Sequence, residues 1–112
     1  MQNFMILIRE EISRLNEMSD AEMQAEIQEY TQWVEELSKT GNYISGDPLE
    51  AEGRYMTKST VVSDGPFIES KEAITGYLLI QADDLDQAVQ LSKSCPIFKY
   101  EGALEIRPIM KY

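Results

Sequence analysis

Apolar residues first gather in the continuous run Phe4, Met5, Ile6, Leu7, Ile8, which stops at the charged pair Arg9 and Glu10. A run without alternation suits a strand covered on both faces, so the first strand is expected at the centre of a sheet. After a polar connection, Ser19 followed three residues later by Glu22 makes a capping-box signature, with Met18 and Met23 at the staple positions. Met23, Ile27, Tyr30, Val34 and Leu37 then recur at spacings of four and three, which predicts a helix facing the sheet and leaves Glu22, Glu26, Glu29 and Glu36 toward water. Thr40 and Gly41 supply a stop, so the helix spans about residues 19–40.

Tyr43 and Ile44 read as a short extended piece before Gly46, Asp47 and Pro48 turn the chain. The polar, β-branched segment Tyr55 to Val62 predicts an edge strand, and Asp64, Gly65 and Pro66 break it. Ile74 to Ile80, ITGYLLI, is the second heavily apolar strand and should be the other central one. Asp83 or Asp84 caps a second helix, with Leu85, Ala88 and Val89 on one face and Pro96 as its stop. Leu104 and Ile106 alternate with Glu105 and Arg107, a half-buried strand that Pro108 confines to an edge or terminus. The order strand, helix, strand, strand, helix, strand predicts an α+β, ferredoxin-like βαββαβ fold: a four-stranded antiparallel sheet with both helices on one face. Strands apolar on both sides leave the second face in need of a partner sheet, most simply from a second copy of the chain.

Composition narrows the function. The 112 residues suit one domain over 1–112, and the 43% hydrophobic and 27% charged content is that of a globular chain. A net charge of −10 repels phosphate backbones and anionic lipid, so direct nucleic-acid binding and membrane association are not expected. The lone Cys95 forms no internal disulfide, no secretory signal opens the chain, and no apolar run is long enough for a membrane span, which together favour the cytoplasm. Without histidine and with one cysteine, zinc, haem and iron–sulfur ligation and Ser–His or Cys–His catalysis lack donors, and no phosphate-cradling glycine loop is present. Asp83, Asp84 and Asp86 read as helix-start caps rather than a magnesium site, so no cofactor is expected.

The stretch Asp64, Gly65, Pro66, Phe67, with Glu69, Lys71 and Glu72 after it and Gly76 and Tyr77 opening the next strand, resembles the YCII-related proteins and their DGPF-motif branch. Cys95 with Pro96 and the ending Glu105, Ile106, Arg107, Pro108 extend the resemblance over nearly the whole chain. It implies a dimeric α+β barrel, two ferredoxin-like units with sheets face to face and a cleft at each sheet edge. It also implies a few enzymes of small aromatic or cyclic compounds among relatives, and some relatives associated with extracytoplasmic-function sigma factors. The wider superfamily's pattern includes a histidine on the first helix near an aspartate; this chain has no histidine, leaving carboxylates, tyrosines and lysines for any proton transfer.

Asp64 is the first candidate acid or base, since it stands on a loop ahead of a central strand; a turn aspartate with Phe67 plugging the core is the structural alternative. Asp47 is the second: it lies where the wider superfamily has a similar glycine and proline segment, a resemblance that implies a place in the same cleft as Asp64, against the alternative of an exposed turn residue. Tyr77 would offer a ligand an apolar wall with a polar tip, or pack in the core. Phe67, Lys71 and Arg54 complete the candidate contacts, the two cations as partners for an anionic ligand or as plain surface charges. Two functions remain: a small-molecule site, enzymatic or not, in the dimer cleft, or a non-catalytic regulatory or interaction domain linked to a sigma factor.

Overall fold

The computed structural model describes residues 1–63 and 72–111. The chain runs β1 (Gln2–Glu11), α1 (Ile12–Glu17), α2 (Asp20–Lys39), β2 (Tyr43–Pro48), β3 (Arg54–Met56), β4 (Val61–Ser63), β5 (Glu72–Ala82), α3 (Leu85–Ser92), a 3-10 turn (Pro96–Tyr100) and β6 (Ala103–Pro108). Four strands form one antiparallel sheet in the order β2-β5-β1-β6, and β3 with β4 make a separate two-stranded ribbon. The two apolar runs, β1 and β5, hold the centre as expected, and this order with helices against one face is consistent with a ferredoxin-like fold.

Alternation along β1 divides the two sheet faces. Phe4, Ile6, Ile8 and Glu10 are buried on one side, while Met5, Leu7 and Arg9 are half-buried on the other. The buried side meets Leu78 and Ile80 of β5, Trp33 and Leu37 of α2, Ala88 of α3, and Cys95 and Ile97 around the 3-10 turn. Trp33 lies edge-on to Tyr30 and donates its indole N–H to the Leu91 carbonyl at 3.3 Å, tying α2 to α3. Ser19 and Glu22 form the reciprocal capping box, Gly41 takes the left-handed φ of 77° past the end of α2, and Asp84 accepts from the Gln87 backbone N–H to cap α3.

Several expectations are corrected. The edge strand is Tyr43–Pro48 rather than Tyr55–Val62, so Gly46, Asp47 and Pro48 lie in a strand and not in a turn. Residues 54–63 fold back on themselves, because the Thr57 backbone N–H donates to the Thr60 carbonyl at 2.7 Å and the Thr57 hydroxyl accepts from the Thr60 N–H. In α2 the covered stripe is Glu26, Trp33 and Leu37, with Tyr30 and Val34 partly buried, whereas Met23 and Ile27 are 37% and 46% exposed. The polar connection after β1 contains α1, whose Arg14 carries the charge that lets Glu26 turn inward. On α3 only Ala88 of the expected apolar face is buried, together with Ser92; Leu85 and Val89 stay exposed.

Candidate functional site

Gly46 permits an unusually close approach of the edge strand β2 to β5. A Cβ at that position would stand 2.6 Å from the Tyr77 carbonyl oxygen, inside contact distance of backbone. The register that follows places Asp47 opposite Tyr77, and the Tyr77 hydroxyl donates to Asp47 Oδ2 at 3.0 Å. That hydrogen bond and the Asp47 charge raise the Tyr77 phenol above its ordinary pKa. The pair sits on the side of the sheet away from the helices, beside the half-buried Leu7 and Leu79.

This open face has an apolar centre and a polar margin. Met5 faces Leu79 and Leu7 faces Tyr77 across the central strands. Arg9, Glu105 and Arg107 line the β6 side, where Arg9 approaches Glu105 at 3.7 Å and Arg107 pairs with it at 2.7 Å, while Ser45 and Asp47 line the β2 side. The arrangement offers a flat aromatic and aliphatic floor with a carboxylate–phenol pair at one edge. Such a pair can accept a proton, donate one, or orient a carbonyl or hydroxyl of a planar ligand.

A second polar assembly lies beneath the same end of the sheet, on the helix side. A bulge opposite Ile8 and Arg9 turns Thr75 inward, where its hydroxyl donates to Glu10 Oε2 at 2.5 Å. Arg14 bridges Glu10 and Glu26; it donates to both carboxylate oxygens of Glu26, at 2.9 and 3.2 Å from its two terminal nitrogens, and makes an ion pair with Glu10. The Tyr100 ring stacks 4.4 Å from the guanidinium carbon, and its hydroxyl donates to Glu29. The hydrogen bonds to Glu26 raise the already high Arg14 pKa against the cost of burial, so the guanidinium is permanently charged. Nearby, burial drives the Tyr30 phenol far above its ordinary range and pushes the Cys95 thiol up to about 11. A thiol so held is protonated at neutral pH and a poor nucleophile. This assembly braces β1, α1, α2 and β5 at the end where Asp47 and Tyr77 sit.

Of the residues nominated from sequence, Asp47 and Tyr77 are brought together. Arg54 is not joined to them: it is exposed on β3, donates to the Gly53 carbonyl at 2.8 Å and lies 3.7 Å from Glu52. Asp64, Phe67 and Lys71 lie outside the described residues. Sequence reading missed Glu10, Arg14, Glu26, Thr75 and Tyr100. A signal existed for Glu26, which precedes Tyr30, Trp33 and Leu37 at spacings of four, three and four, and for Glu10, which continues the inward series Phe4, Ile6, Ile8. A shallow apolar groove of about 410 Å³ between α3, the 3-10 turn and β6 is lined by Leu85, Val89, Phe98, Leu104 and Ile106 and contains none of the nominated residues. Among the described residues no cluster of three or more acidic or thiol groups is arranged to hold a metal ion, and no helix is long and apolar enough to cross a membrane.

Replacing Asp47 by asparagine removes the charge beside Tyr77. The Tyr77 phenol in Asp47→Asn is expected to ionise at lower pH than in the parent, followed through the ring-carbon resonances of labelled tyrosine. An unmoved titration would mean that the pair does not persist in solution.

A sequence profile of the YCII-related domain matches residues 2–112. The chain is 35% identical over 60 residues to an uncharacterised protein of Rhizobium meliloti (strain 1021), a match covering 53% of this chain and 48% of that protein. It thus spans about half the length of the curated relative it matches. The chain belongs to the YCII-related family.

Proposed function

We propose that this YCII-related chain acts as a homodimer that receives a small planar organic molecule on the open sheet face, with Asp47 and Tyr77 as its polar contacts. The observation that carries the reading is the hydrogen-bonded Asp47–Tyr77 pair, set at the edge of an apolar floor on the side away from the described helices. An apolar centre with a charged margin is the anatomy of an interface, and two such faces stacked about 10 Å apart leave their edges as clefts. Asp47 and Tyr77 stand at such an edge. The residues Asp64, Gly65, Pro66 and Phe67 support placement in the DGPF branch, and the lone buried thiol of Cys95 suits the reducing cytoplasm.

Two measurements test the reading. Leu79→Asp puts a charge in the middle of the face and is expected to turn the dimer into a folded monomer by sedimentation velocity; a parent protein that is monomeric at every concentration defeats the proposal. Native mass spectrometry of freshly purified parent protein should show a small-molecule adduct that Asp47→Asn and Tyr77→Phe lose. A dimer without adduct that instead captures a sigma factor would favour the non-catalytic regulatory alternative.

A further inference from the structure

Among the described residues the β3–β4 ribbon is a sheet of its own, apart from the four-stranded one. Its strands pair Arg54 with Ser63, Tyr55 with Val62 and Met56 with Val61, and a two-stranded ribbon of three residues a side is marginal in water by itself. Tyr55, Met56 and Val61 are 53%, 69% and 61% exposed. Successive strand residues point to opposite sides, so Tyr55 presents one face of the ribbon and Met56 the other. Apolar surface on both faces fits an arm inserted between two surfaces rather than a flap lying on one. The Cα radius of gyration of 15.1 Å agrees, exceeding the roughly 13 Å of a compact domain this long.

We infer that this ribbon is an arm that grips the second copy of the chain, completing a dimer interface that the open sheet faces alone are too small to hold. The inference rests on the dimer proposed above. Four strands of six to eleven residues, rising about 3.3 Å per residue and set about 4.8 Å apart, present a face of about 500 Å² per copy in projection. Two faces then cover about 1,000 Å², short of the roughly 1,200–2,000 Å² of stable interfaces. Two arms contacted on both sides supply an area of the missing size.

Charge selects the occupant. Residues 54–63 include Arg54 and Lys58 and no acidic residue, so the arm carries +2 and the remainder of the chain −12 of the total −10. Two copies otherwise repel one another, and a basic arm reaching onto an acidic twin offsets that repulsion where the chains meet.

The test uses the full chain. Sedimentation gives the dimer constant, and backbone hydrogen exchange is followed above and below it. The arm predicts slow exchange over residues 54–63 that is lost on dilution, and a dimer weakened at least about a hundredfold by Met56→Asp with Val61→Asp. Because both side chains are exposed, thermal unfolding of the diluted variant should match the parent. Lys58→Glu should weaken the dimer at low salt and much less at high salt. A dimer whose ribbon exchanges freely, and which the double variant leaves intact, overturns the arm while leaving the dimer standing. A parent that never dimerises overturns both.

Discussion

Arg14→Met is expected to lower stability by about 3–5 kcal/mol, because it leaves two carboxylates inside the fold with no countercharge. The Glu10 and Glu26 side chains are 5% and 8% exposed, and Arg14 is their shared partner. Methionine keeps much of the packing against Tyr100, so the loss reports charge rather than volume. Set against a typical total of about 5–15 kcal/mol, the change should move the urea midpoint far to lower concentration. Adding Glu26→Gln to Arg14→Met should recover a large part of the loss, since the second change removes one stranded charge. An Arg14→Met midpoint near the parent's would show that the three residues are not paired in solution.

Gly46→Ala comes next. The added methyl would meet the Tyr77 carbonyl oxygen at 2.6 Å and Leu78 Cα at 3.1 Å, and backbone atoms in a central strand do not move aside cheaply. A cost of about 1–3 kcal/mol follows from overpacking. The more informative change is local: β2 must lift away from β5, separating Asp47 from Tyr77. The Tyr77 phenol should then titrate nearer its ordinary value, as in Asp47→Asn, although both residues are intact. Stability lost with an unchanged Tyr77 titration would show that the strain is relieved elsewhere and that Gly46 does not set the pair.

Much of the frame was legible because it follows from local rules. The runs Phe4 to Ile8 and Ile74 to Ile80 announce the two central strands, and Ser19 with Glu22 announces a helix start. What escaped needed tertiary knowledge. Gly46 and Pro48 resemble turn residues, yet an edge strand tolerates a proline, and glycine is what its close approach to β5 requires. The reversal at Thr57 to Thr60 uses threonine hydroxyls in place of glycine or asparagine, so nothing in Tyr55 to Val62 marked the fold-back. Glutamate usually faces solvent, which places Glu26 outward by pattern alone; only the arginine delivered by α1, twelve residues upstream, reverses that. The Asp47–Tyr77 pair was half visible, since both residues could be nominated but their register could not be derived from either strand alone.

The margins of the sheet restrict how copies of the chain can meet. On β2 the pairing with β5 is irregular between Tyr43 and Ser45 and the strand closes with Pro48; β6 closes with Pro108 after the charged Glu105 and Arg107. A neighbour trying to extend the ladder sideways would meet missing donors and side-chain charge at both flanks. Sideways growth into long ribbons is therefore discouraged, even where molecules collide in a crowded, concentrated solution.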